Sequence, residues 1–205
     1  MRTIPFKILF LLSISICVNI SISQTIKVGG NYSSVVGVST QNFKPSFGLA
    51  VSFSWNRVIN KKLTFQPEIM YSEKGAEQKA TVAFLGNIKI IANLKYLEVP
   101  LLFHYNFSDE NTRTPFPFLF GGVSLGIVLQ EESILLLNGM RIKLNTTDVR
   151  PFDPSLVIGS GFAFPFRSHA IKPEVRYSMG LYPIGSSRTS KARNSVFSFL
   201  IGYTF

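Results

Sequence analysis

From Val196 to its end the chain reads VFSFLIGYTF, and the side chains sort by parity. Phe197, Phe199, Ile201, Tyr203 and Phe205 fall on odd positions, with Ser198, Leu200, Gly202 and Thr204 between them. Successive side chains of a strand point to opposite faces, so this segment predicts a strand with one bulky apolar wall and one face of mostly small residues. In a soluble sandwich such a wall faces a core. In a transmembrane barrel it faces lipid, with small and polar groups in the lumen.

The same period of two recurs along the chain, and no long 3.6-residue periodicity competes with it. Eight segments carry it: about Gln24–Ser33, Pro45–Trp55, Lys62–Lys74, Ile91–Phe107, Pro115–Gln130, Pro151–Phe164, His169–Leu181 and the terminal strand. Pro67 and Pro100 fall inside strand patterns, and we expect local bulges there. The connections alternate in length. Asn56–Lys61, Ser108–Thr114 and Pro165–Ser168 are short, whereas Ser34–Lys44, Gly75–Ile90, Glu131–Arg150 and Tyr182–Arg193 are longer. An all-β, eight-stranded antiparallel up-and-down transmembrane β-barrel has this pattern, with short periplasmic turns, long extracellular loops and strands that cross an apolar band of ~25 Å. Within the third long loop, the run Ile134–Leu137 followed by Asn138-Gly139 predicts a hairpin that lengthens the fifth and sixth strands beyond the membrane.

The start of the chain reads as a removable address. Arg2 and Lys7 form a basic region, Ile8–Val18 an apolar run, and Ser21 and Ser23 occupy the small-residue positions before a cleavage site at Gln24. The run is short for a membrane-spanning helix. Residues 1–23 are therefore expected to be a signal peptide and 24–205 the barrel. The only cysteine, Cys17, would leave with the signal, so neither disulfide nor thiol chemistry is expected of the mature chain. The formal charge falls from +10 to +8 once Arg2 and Lys7 are removed. No basic run of nucleic-acid type occurs, and export argues further against nucleic acid. Anionic lipopolysaccharide and outer-membrane lipid are the partners that fit the charge, in the bacterial outer membrane with both termini periplasmic.

Six stretches resemble the PorT-like outer-membrane β-barrel family of Bacteroidetes. They are Thr64–Gly75 (TFQPEIMYSEKG), Lys95–Tyr105 (KYLEVPLLFHY), Phe118–Gly126 (FLFGGVSLG), Asp153–Phe162 (DPSLVIGSGF), Pro173–Leu181 (PEVRYSMGL) and the final strand. The resemblance spans essentially the whole mature chain and implies a small eight-stranded barrel. The founding member of that family is associated with protein secretion across the outer membrane, which makes an accessory secretion role one implied alternative. An aromatic C-terminus on the greasy face resembles what outer-membrane barrels present to their insertion machinery, so Phe199, Ile201, Tyr203 and Phe205 are the implied insertion signal.

Chemistry-bearing residues are few. Glu68, Glu98, Glu174 and Arg176 fall on inward positions near mid-height, with Lys172 on the same face. An acid/base pair or proton relay could use them. Alternatively they fill a narrow barrel as structural salt bridges, since eight strands leave an interior only wide enough for side chains. The second reading is preferred. His104 and His169 are the only histidines and lie apart, so no metal site is expected. The glycine pairs lack the context of a phosphate loop, and no G-x-S-x-G elbow occurs. No cofactor is expected. In the last long loop Arg188, Lys191 and Arg193 form a basic segment without an acid, a candidate contact for an anionic partner. The expectation from sequence is a non-enzymatic barrel with a filled lumen that binds or scaffolds a protein partner through its loops. A soluble lipocalin-like carrier, an outer-membrane enzyme and passive solute diffusion are the competing readings.

Overall fold

The computed structural model describes residues 22–37, 43–82, 86–108, 114–137, 140–144, 149–185 and 191–205. Every regular element among them is a strand: β1 (Ile22–Val36), β2 (Phe43–Val58), β3 (Leu63–Val82), β4 (Gly86–Asn106), β5 (Phe116–Leu137), β6 (Met140–Leu144), β7 (Phe152–Phe166), β8 (His169–Gly180) and β9 (Arg193–Thr204). Eight of them close into an antiparallel barrel. Its strands run β1 to β5, then β7, β8 and β9, and β9 pairs with both β8 and β1. Thr204 sits opposite Thr25 on one side and Ala170 on the other, so the terminal strand is the seam. Closure leaves no edge among these eight strands, which is what a sheet in hydrocarbon requires.

Side-chain polarity follows the expected parity. On β9, Phe199 and Ile201 are each 60% exposed, whereas Ser198 and Leu200 are 2% exposed. The outer wall is apolar on every barrel strand, and Lys27, Glu68, Lys74, Glu98, Glu174 and Arg176 are buried inside. This polarity is that of a transmembrane barrel and excludes the lipocalin-like alternative, which needs a greasy interior. Two aromatic belts bound the wall. Trp55, Phe65, Phe103, Tyr105, Phe164 and Tyr203 ring the end that carries Gln24 and Phe205. Tyr32, Phe47, Tyr177 and Phe197 mark the opposite, distal end.

The short connections gather at the terminal end. Gln24 and Phe205 exchange backbone hydrogen bonds there, and Phe166 faces His169 across the two-residue turn Arg167-Ser168. The distal end differs from the sequence expectation. Most of the expected loop Gly75–Ile90 is strand, with β3 and β4 keeping one register from Leu63↔Tyr105 up to Val82↔Gly86 and the ladder broken only between Pro67↔Leu101 and Met70↔Glu98. β5 continues to Leu137, and β6 returns from it through Leu137↔Met140, as Asn138-Gly139 implied. The returning arm is a separate short strand, however, and β7 begins at Phe152 rather than being lengthened. Above the membrane neither face meets lipid, so the alternation that marks strands elsewhere fades in these arms. Arg193 belongs to β9 and pairs with Val36 instead of lying in a loop.

Pro67 and Pro100 are not bulges. They keep the register Pro67↔Leu101 and Pro100↔Ser124, and the register shifts occur between Pro45 and Ala50 and between Lys95 and Tyr96. An antiparallel residue directs its N–H to one neighbour only, so each proline removes one ladder bond while flanking pairs hold the register. The strand starts at Ile22, two residues before the expected cleavage position; residues 1–21 lie outside the described part.

Candidate functional site in the charged lumen

Three barrel strands place the central charges. Lys27 comes from β1, Glu68 from β3, and Glu174 and Arg176 from successive inward positions of β8. Lys27 Nζ lies 2.6 Å from Glu68 Oε1 and 3.0 Å from Glu174 Oε2, and it also donates to Gln66 Oε1 at 3.1 Å. Arg176 donates to both carboxylates, to Glu174 Oε1 at 2.6 Å and Glu68 Oε2 at 3.2 Å. Two cations and two carboxylates thus alternate around one ring, each carboxylate held by both cations. Buried ions are tolerable when paired and hydrogen-bonded in this way.

A second cluster stands above it toward the distal end. Lys74 Nζ is 3.0 Å from Glu98 Oε1 and 3.2 Å from Asp153 Oδ2, and it sits 4.6 Å above the Tyr96 ring. Asn194 donates to Asp153 Oδ2 at 2.7 Å and to the Tyr96 hydroxyl at 3.2 Å, and Ser124 donates to Glu98 at 3.3 Å. Between the clusters lies a void of about 10 Å³, lined in part by Lys74, Glu98 and Arg176, which holds one water at most.

Toward the terminal end the filling becomes aromatic. His104 stacks on Phe120 at 4.7 Å and contacts Phe118, and Leu102 and Phe116 complete this layer. Space for the rings comes from β7: a Cβ on Gly159 or Gly161 would collide with Phe120 or Phe118. Below, Thr25 and Thr204 share a hydrogen bond of 2.8 Å, and Asn56 bridges Gln66 to Thr25. The lumen is therefore packed from the Thr25–Thr204 pair to the upper cluster. Eight strands enclose only enough room for such a filling.

Glu68, Glu174 and Arg176 meet as expected, and Glu98 joins the upper cluster instead of the central ring. Lys172 lies on the same face and lines the mouth at the terminal end, two positions below Glu174 on β8. Lys27, Lys74 and Asp153 are the members that sequence reasoning missed. Their parity did place them on polar faces, but parity carries no height, and height selects the partners. His169 points outward and stacks on Tyr203 at 5.5 Å, away from His104. Lys191 and Arg193 are exposed at the distal rim, and Arg188 lies outside the described residues. Phe199, Ile201, Tyr203 and Phe205 all face outward.

Ail, the attachment invasion locus protein of Yersinia pestis, is 14% identical, with 89% of this chain and 98% of that chain covered at a TM-score of 0.43. Outer membrane protein OprG from Pseudomonas aeruginosa is 13% identical, with 90% and 94% covered at a TM-score of 0.49. Neisserial surface protein A is 14% identical, with 90% and 99% covered at a TM-score of 0.43. No curated protein matches the sequence. Residues 12–185 match the family model described as outer membrane protein beta-barrel domain. With an apolar wall, two aromatic belts, a seam closed by the last strand and a family match over most of its length, this chain belongs to the outer membrane protein beta-barrel family.

Proposed function

We propose that this protein is a non-catalytic outer-membrane barrel that binds or scaffolds a partner at its distal rim, with both termini in the periplasm. The observation that carries the reading is the length of the strands on one side. β3, β4 and β5 contain 20, 21 and 22 residues, against 12 each for β8 and β9. At about 3.3 Å per residue, the excess adds roughly 26–33 Å measured along the tilted strands, on the distal side. β6 adds a fourth strand to this projection. Its outer face is tied by ion pairs, Lys89 to Glu77 at 2.8 Å and Lys143 to Glu132 at 3.3 Å. The rows that continue the lumen face are rich in apolar residues, Ile90 and Ala92 on β4, Leu135 and Leu137 on β5, and Met140 and Ile142 on β6, with Gln78 and Ser133 among them. Such a platform offers contact area where the packed lumen offers no path for a solute. Its carboxylates are engaged in ion pairs, which supports a structural rather than an acid/base role.

On this reading lipid and lipopolysaccharide surround the wall. The insertion machinery reads Phe199, Ile201, Tyr203 and Phe205, and an unidentified protein meets the rim near Lys191 and Arg193. The finer likeness to PorT-like barrels, with its implied link to secretion, rests on the six segments quoted above. The test is a pull-down from cells carrying the intact protein or a variant with the β3–β4 and β5–β6 tips shortened to the distal belt. Capture that depends on the tips supports the reading. Equal capture by both forms, or solute flux through the purified barrel in liposomes, refutes it.

A further inference from the structure

The eight barrel strands each have a neighbour on both sides, whereas β6 pairs with β5 and, among the described residues, with no other strand. We propose that this open edge takes up an extended segment of a protein partner as an added strand, and that the segment alternates carboxylate with apolar side chains. On the reading of the distal rim as a partner-binding platform, on which this inference rests, β6 is the docking edge.

Three features of β6 converge. First, the edge is not blunted. An edge strand presents a row of unpaired backbone N–H and C=O groups, and natural proteins protect such edges with proline, bulges or inward-pointing charges. β6 reads MRIKL, without proline, and it keeps one register with β5 from Ser133↔Leu144 to Leu137↔Met140. Second, its chemistry is sorted by face. Arg141 and Lys143 lie on the outer face with Glu132, whereas Met140 and Ile142 share the inner face with Leu137 and Leu135. A strand laid beside β6 therefore meets cations along one face and apolar groups along the other. Third, the cations have capacity to spare. Arg141 is exposed and takes part in none of the ion pairs among the described residues, and Lys143 is exposed with its one contact to Glu132 at 3.3 Å. Carboxylates on the incoming strand, opposite Arg141 and Lys143, complete those pairs. Main-chain hydrogen bonds along the edge then give affinity, and the alternate side chains give specificity.

The same charges weigh against a second copy of β6 as the occupant. Antiparallel pairing about Ile142 sets Arg141 of one copy against Lys143 of the other. Parallel in-register pairing sets each cation against itself. Like charges directly opposite destabilise a strand pair, so the edge repels its own copy and favours an acidic one.

The test uses the full-length barrel in nanodiscs and a short fluorescent peptide alternating glutamate with valine. A lysine–valine peptide probes charge, and the acidic peptide N-methylated along its backbone probes main-chain pairing. The acidic peptide should saturate and the lysine peptide should not. N-methylation should weaken binding about tenfold or more, since it removes the backbone donors and keeps every side chain. Arg141→Glu/Lys143→Glu should reverse the preference between the two charged peptides, an outcome that a misfolded variant does not produce. Lys44→Glu, an exposed cation of the distal end four strands away on β2, should leave the affinity unchanged. Failure of the acidic peptide to saturate, equal binding of the lysine peptide, undiminished binding after N-methylation, or an equal loss in Lys44→Glu each overturns the proposal. If the acidic peptide fails while capture of the cellular partner still depends on the β3–β4 and β5–β6 tips, the docking edge falls and the platform stands. Capture independent of the tips overturns both.

Discussion

Glu174→Gln tests the central ring most directly. Glu174 lies between Lys27 at 3.0 Å and Arg176 at 2.6 Å, all three being essentially inaccessible to water. At an effective dielectric of about 20, Coulomb's law gives each contact roughly 5–6 kcal/mol of gross attraction. Repulsion between Glu174 and Glu68 opposes this, and so does the cost of removing the ions from water. The neutral glutamine keeps the shape but leaves two cations facing Glu68 alone. Breaking a buried pair from one side costs about 3–5 kcal/mol, and we expect that loss here. Lys27→Met by itself leaves the opposite imbalance and should cost a similar amount. The double variant Lys27→Met/Glu174→Gln restores neutrality with Arg176 and Glu68 still paired. It should be more stable than either single variant, with a coupling of up to about 3 kcal/mol. Equilibrium urea unfolding in lipid vesicles, followed by the gel shift of folded against heated barrel, measures all four proteins. A double variant no more stable than the worse single, or singles that cost under about 1 kcal/mol, would refute the account of the lumen as a neutralised plug.

Other outcomes follow from the same geometry. Phe199→Asp puts a charge on the lipid wall, where Arg or Lys costs about 2–4 kcal/mol and Asp somewhat less. Ser198→Asp faces inward opposite Arg176 and should be tolerated better; the heat-modifiable fraction in isolated outer membranes ranks the two, and the reverse order would invert the assigned faces. Deleting Tyr203–Phe205 removes the pairs of Thr204 with both Thr25 and Ala170, so folded barrel should be lost from the membrane fraction. Gly159→Val should destabilise by about 1–3 kcal/mol through overpacking against the Phe120 ring and the Val175 carbonyl. Adding Phe120→Ala should relieve the ring part of that clash, which the same unfolding assay reads as a non-additive pair.

How much of this was legible in the sequence differs from residue to residue. Alternation on β9 and β2 is read directly because lipid on one side and a packed lumen on the other impose opposite solvents on neighbouring residues. Those solvents select Phe199 against Ser198 position by position, so faces, closure and the terminal seam follow from parity. The arms of β3 and β4 beyond Gly75 read as a loop in the sequence because no lipid faces them. Glu68 and Arg176 were placed inward by parity alone, but their partners were not. Lys27 and Glu68 stand on strands that are not even adjacent in the barrel, and Lys74 reaches Asp153 across the lumen. Which inward side chains share a level depends on the register of every intervening pair, including the shifts at Pro45/Ala50 and Lys95/Tyr96. Phe118 and Phe120 point inward only because Gly159 and Gly161 vacate the opposing space. The period of two comes from local solvent contrast and survives in one dimension. Height, register and complementary volume are properties of the closed sheet, so the tertiary structure alone decided the ion pairs.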